Sequence, residues 1–139
     1  MRFLSKFLKI PTAPRKVGSI AVWVVFGVPL ICNSAELVVK VAGVSQPLGQ
    51  IGCSLFATPN GFPMDTSTAR SQWQPADAKG VTCRFSDLSA GKYAVSVGHD
   101  LNGNQKVDTN FIGMPTEQWG VSNNVRPSLR APRYDEAVF

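Results

Sequence analysis

Apolar residues recur at every second position in four runs of this chain, the spacing of half-buried strands. Leu37, Val39 and Val41 alternate in the first run, residues 36–41. The second, 48–57, carries Ile51, Cys53 and Leu55, with Gly49 and Gly52 allowing twist or a bulge. Val81, Cys83 and Phe85 alternate in the third, 81–85, and Tyr93, Val95 and Val97 in the fourth, 92–98. The other face of that last run is Ala94, Ser96 and Gly98, small residues that predict a close neighbour. Turn residues separate the runs: 42–47, Thr58-Pro-Asn-Gly61, and Ser86 to Gly91. Residues 62–80 are polar and without clear period. One helical turn capped by Asp65 is expected there, and Phe62 with Trp73 is expected to form a small satellite cluster. After His99 regular patterning stops, and 99–124 reads as a long polar loop rich in Gly and Asn. With no amphipathic helix, the pattern predicts an all-β fold, an antiparallel β-sandwich of the prealbumin or Ig-like kind.

The leader and the charge change that picture in one respect. The net charge of +5 suggests a nucleic-acid or membrane-surface partner until its placement is read. Five of the fourteen basic residues (Arg2, Lys6, Lys9, Arg15 and Lys16) precede residue 36, where no acidic residue occurs. Nine basic then face nine acidic residues in the remainder, so no nucleic-acid partner is expected. A basic start followed by an apolar run from Ile20 to Ile31 is the pattern of a secretory signal, too short for the roughly 20 residues that cross a bilayer. Cleavage is expected after Ser34 or Ala35, giving a signal peptide over 1–35 and a sandwich domain over 36–139. An uncleaved anchor is the alternative, and membrane contact is expected only through this segment. The expected location is periplasmic or extracellular. There, Cys53 and Cys83, both on apolar strand faces, are expected to form a disulfide worth roughly 3–4 kcal/mol in the chain-entropy model. Two buried free thiols are the alternative.

Five motifs in order carry a resemblance. They are Phe85-Ser-Asp-Leu-Ser-Ala-Gly-Lys-Tyr-Ala-Val95, His99-Asp-x-Asn-x-Asn104, Asp108-Thr-Asn110, Gly113-x-Pro115-x-Glu117 and Gly120-x-Ser-Asn-Asn124. Over most of 36–139 the chain resembles the bacterial DUF2141 family of exported proteins of unassigned function. The resemblance implies a prealbumin-like sandwich. It also implies a further strand beyond the Tyr134-Asp-Glu-Ala137-x-Phe139 position, where this sequence stops, so either a truncated chain or an open sheet edge is expected. It implies no catalytic residue.

Candidate chemistry concentrates in the polar loop. Asp100, Asn102 and Asn104 fall at alternate positions and Asp108 four further on, imitating positions 1, 3, 5 and 9 of a helical calcium loop. Gly103 stands at the fourth position instead of the sixth, and Phe111 occupies the twelfth, where a glutamate is usual. Glu117 is the nearest residue able to supply that carboxylate, and Lys106 opposes a cation unless it points outward. With two or three charges, Ca²⁺ affinity is expected near the weak extracellular range, about 10⁻⁴–10⁻³ M. The competing reading is conformational: Asn102-Gly103 is a tight-turn dipeptide, and Asx side chains rigidify loops by bonding their own backbone.

His99, Trp119, Ser122, Asn123 and Asn124 are the candidate contacts for a ligand or partner, either a protein or a glycan. For each there is a structural alternative. His99 is a strand-end residue bonded into the loop, Trp119 a buried anchor, and the other three a turn. The expected function is a non-enzymatic binding module presenting loop 99–124, stabilised by Ca²⁺ or by Asx bonding, with no other cofactor. A cell-envelope assembly component docking through an open sheet edge is the second reading. A hydrolase using His99 with Asp100 or Glu117 is the third, and no nucleophile motif accompanies it.

Overall fold

The computed structural model describes residues 2–7 and 35–139. The apolar run Ile20–Ile31 and the small residues Cys32 and Ser34 of the expected cleavage region lie outside them. The strands are β1 (Arg2–Phe7), β2 (Ala35–Ala42), β3 (Gln50–Phe56), β4 (Arg70–Pro75), β5 (Val81–Leu88), β6 (Ala94–Asp100) and β7 (Trp119–Val121). One sheet has the order β1-β2-β5 and the other β4-β3-β6-β7, and every pairing is antiparallel. The fold is the all-β sandwich that the alternation predicts.

Period-two alternation builds the core. Leu37, Val39 and Val41 from β2, Ile51 and Leu55 from β3, Val81 and Phe85 from β5, and Val95 and Val97 from β6 form one buried cluster. Cys53 and Cys83 are bonded across it, joining β3 of one sheet to β5 of the other with Cα atoms 6.5 Å apart. The disulfide therefore pins the two layers together at the centre of the sandwich.

Several local expectations shift. The third strand runs on to Leu88, through residues assigned to a turn. The helical turn after Asp65 is a 3₁₀ turn, Thr66–Thr68, with Asp65 accepting from the Ser67 N–H at 3.1 Å. The chain then enters β4, a strand that its polar sequence hides. Gln72 on β4 donates its amide to the Arg84 carbonyl and accepts from the Arg84 N–H at 3.0 Å, covering the free edge of β5. Phe62 and Trp73 do not cluster together. Phe62 packs edge-on against Phe56 and Tyr134, with ring centroids 5.3 and 5.8 Å away, while the Trp73 ring lies over Gly52, where a Cβ would sit 2.5 Å from it.

The C-terminal segment closes the second sheet differently from a full strand. Tyr134–Ala137 makes one helical turn, α1. Phe139 then exchanges two backbone hydrogen bonds with Tyr93, at 3.0 and 3.2 Å. Ala137 packs with Ala94 and Val121 in a small second cluster that Trp119 partly covers.

Candidate functional site: the arch after β6

At the end of β6 the alternation that fills the core places His99 inward and Asp100 on the opposite side. Gly98, on the Asp100 side, admits Val107 from the loop; a Cβ there would lie 2.4 Å from the Val107 Cγ2. This is the close neighbour that the small face of β6 predicts.

Asp100 is buried, at 1 % exposure, and its carboxylate is enclosed by backbone donors. Oδ1 accepts from the N–H groups of Asn102, Gly103 and Asn104 at 3.2, 2.7 and 3.2 Å, and Oδ2 accepts from Gln105 at 2.7 Å. Four consecutive N–H groups directed at one carboxylate curl the chain around it, an anion-binding nest that the protein fills with its own side chain. Gln105 closes the curl in the left-handed region, φ 59°.

Glu117 spans the base of the arch. Its Oε1 accepts from the Leu101 N–H and its Oε2 from the Asp108 N–H, both at 2.9 Å. Asp108 in turn accepts from the Asn102 amide at 2.6 Å and the Asn104 amide at 2.8 Å. Asn102 Oδ1 and Asn104 Oδ1 receive the N–H groups of Asn104 and Lys106 at 3.1 and 2.8 Å. The four residues proposed from spacing as calcium ligands, and Glu117 proposed to join them, are thus brought together, linked by hydrogen bonds directly or through the loop backbone. Among the described residues, however, no three His, Cys, Asp or Glu side chains gather into a metal-holding group. Lys106 is exposed.

Beyond Asp108 the arch narrows into a hairpin. Thr109 pairs with Pro115, and the Thr116 N–H donates to the Asp108 carbonyl at 2.8 Å. Asn110 locks the tip: its Oδ1 accepts from the Ile112 and Met114 N–H groups at 3.1 and 2.9 Å, and its own N–H reaches the Met114 carbonyl at 2.8 Å. On this fixed tip Phe111, Ile112 and Met114 are 98, 67 and 54 % exposed. Sequence reasoning passed over them, although Phe-Ile-Gly-Met inside a polar stretch is an apolar interruption that could have marked the spot.

The residues expected to touch a partner divide sharply. His99 is fully buried, with its Nε2 2.8 Å from the Leu48 carbonyl and its N–H donated to the Gln118 carbonyl at 2.8 Å. It is the bonded strand-end residue of the structural alternative. Ser122 is fully buried too; its hydroxyl accepts from the Val95 N–H at 3.0 Å and donates to the Ala137 carbonyl at 2.6 Å. Neither offers surface to a ligand; each is enclosed and bonded to backbone groups instead. Asn123 gives its amide to the carbonyls of Glu136 and Val138, and Asn124 shares its left-handed conformation, with φ values of 59° and 51°. Trp119 is half-buried, one part on the Ala94 cluster and the rest lining a groove of about 150 Å³ with Met64, Met114, Pro115, Pro127 and Pro132.

A family described as an uncharacterized protein conserved in bacteria (DUF2141) matches residues 39–139. The chain belongs to this family. The match begins within β2, so it takes in the whole arch and leaves β1 outside. No curated protein and no solved structure matches the chain.

Proposed function

We propose that this DUF2141 protein is an exported, non-enzymatic binding module that holds the apolar tip Phe111-Ile112-Gly113-Met114 out toward a partner protein. The observation that carries the reading is exposure on a fixed frame. Large apolar side chains standing free on a backbone locked by Asn110, Asp108 and Glu117 mark an interaction site, since their ordering cost is already met before binding. The tip offers no side-chain hydrogen-bonding group, which favours an apolar pocket on a protein over a glycan. A photo-crosslinking residue placed at Phe111 in cells is expected to give a discrete adduct, with none from Thr82 on the sandwich face. Equal background at both positions would overturn the reading.

Support for a non-enzymatic role comes from the enclosure of the single histidine and the commitment of Asp100 and Glu117 to backbone donors. Export rests on the leader pattern and fits a disulfide between Cys53 and Cys83.

Calcium stabilisation of the arch is a second reading, favoured by Gln105. It takes the left-handed conformation at the sixth position after Asp100 is counted as the first, where calcium loops place glycine. A Ca²⁺ ion would take the place of the two neutral asparagine amide donors at Asp108, with Lys106 turned away. The melting temperature is then expected to rise with millimolar Ca²⁺ and fall with chelator. A melting curve indifferent to both leaves Asx bonding as the sole stabiliser.

A further inference from the structure

The outer edge of β2 is a strand-accepting surface. In the full chain it is covered by β1, which pairs with it over six Cα positions from Arg2↔Ala42 to Phe7↔Leu37. β1 lies outside the family match and inside the segment whose sequence reads as a removable leader. Removal of that segment leaves the edge of β2 with its N–H and C=O groups unpaired, a condition that folded proteins cover or exploit.

Which groups those are follows from the far side of the sheet. Arg84 directs both its N–H and its C=O at Gln72, away from β2. In an antiparallel ladder, its register partner Val38 must then point its own N–H and C=O the other way, toward β1, and so must Lys40 two residues on. The outer edge therefore presents the backbone of Val38 and Lys40. The outer face beside it carries Glu36, Val38 and Lys40, for Glu36 reaches Arg84, the register partner of Val38, at 3.6 Å.

We infer that, once the leader strand is gone, this edge pairs with the same edge of a second copy, antiparallel, with Val38 on the two-fold axis. That register sets Glu36 of each copy opposite Lys40 of the other and merges the two sheets. It is self-complementary as a two-fold contact must be, in backbone donors and in charge. Other registers that pair outward-pointing residues with each other lose one feature: centring on Val39 puts Lys40 opposite Val38 and leaves Glu36 against Ala42.

The inference rests on the export reading, and one experiment separates the two. The full chain is expressed in a bacterial host with its own leader, and the recovered protein is measured by intact mass and by light scattering across a concentration series. Loss of residues 1–34 or 1–35 together with a dimer is expected. K40E should weaken the dimer about tenfold or more, because it sets like charges opposite each other twice. E36K should weaken it similarly, and an equimolar mixture of the two variants should restore it as a heterodimer. K40P, which removes an outward N–H and no β2–β5 bond, should be monomeric with an unchanged near-ultraviolet spectrum. If intact mass shows the leader retained, export with a cleaved leader fails. The edge is then released in the full chain by L4P with K6P, whose N–H groups face Lys40 and Val38, and dimer formation is still expected. A leaderless or released protein that stays monomeric, or a dimer indifferent to K40E and K40P, overturns the inference.

Discussion

The sandwich and the arch are both ordered, but by different forces. Between the sheets, Leu37, Val39, Ile51, Phe85, Val95 and their neighbours are held by apolar burial and one covalent bond between Cys53 and Cys83. In the arch, residues 101–118 bury little apolar surface, and Phe111 stands almost wholly in solvent. Order there comes from Asp100, Glu117 and three asparagines that collect backbone N–H groups, and from Asp108, whose carboxylate collects the amides of Asn102 and Asn104. A hydrophobic core is non-directional and tolerates substitution of similar volume, whereas a carboxylate cage depends on each donor and on charge. The first kind of order gives a stable platform. The second can hold an exposed segment in one shape, as a binding surface requires.

That contrast breaks most visibly at the disulfide. Replacing Cys53 and Cys83 together by alanine is expected to cost about 3–4 kcal/mol in urea denaturation, with arch and sandwich unfolding together, because the arch has no core of its own. Asp100→Asn tests the other half. It exchanges an all-acceptor carboxylate for an amide that presents N–H to N–H, and a loss of about 2–3 kcal/mol is expected from the buried unmet donors. Hydrogen exchange should locate the damage: amides 102–105 lose protection while those of β3 keep most of theirs. If protection falls equally in both regions, the arch is not a separate unit of order.

The smallest effect concerns the C-terminal tail, which packs on β6 and the turn after β7. Glu136 accepts from Arg130 at 2.5 and 2.9 Å and from the Arg133 N–H at 2.9 Å, which lowers its pKa from an ordinary 4.5 to about 2. A depressed carboxylate stabilises the fold above its unfolded pKa. Its contribution is therefore intact above pH 4.5 and lost as pH falls toward about 2. Because the group is exposed, the expected change is slight, seen as acid sensitivity of the Phe139–Tyr93 pairing that Glu136→Gln removes.

Legibility in the sequence followed the same division. The strands of Leu37, Cys53, Cys83 and Val97 could be read because burial on one face imposes a period of two on local sequence. β4 could not, since Gln72 and Trp73 serve a sheet edge: one bonds β5 sideways and the other covers Gly52. The oxygen-bearing residues of the arch were recognisable as a set from their spacing. Their roles were not, because whether an asparagine faces a cation, a partner or a neighbouring aspartate depends on where its amide points. His99 and Ser122 were offered to a ligand, but both are fully buried and bonded to backbone groups, the Leu48 carbonyl and the Val95 N–H.

The chain by itself determined the all-β class, the inward-facing cysteines and the existence of an Asx-rich arch, because each is written in residues close together along it. Tertiary structure alone decided that Glu117 closes that arch, that Gln118 ties it to the β2–β3 loop through Gly43 and Ser45, and that Phe111 stands free at its tip. Those outcomes turn on side chains meeting backbone groups far away in the chain, and no local pattern encodes such a meeting.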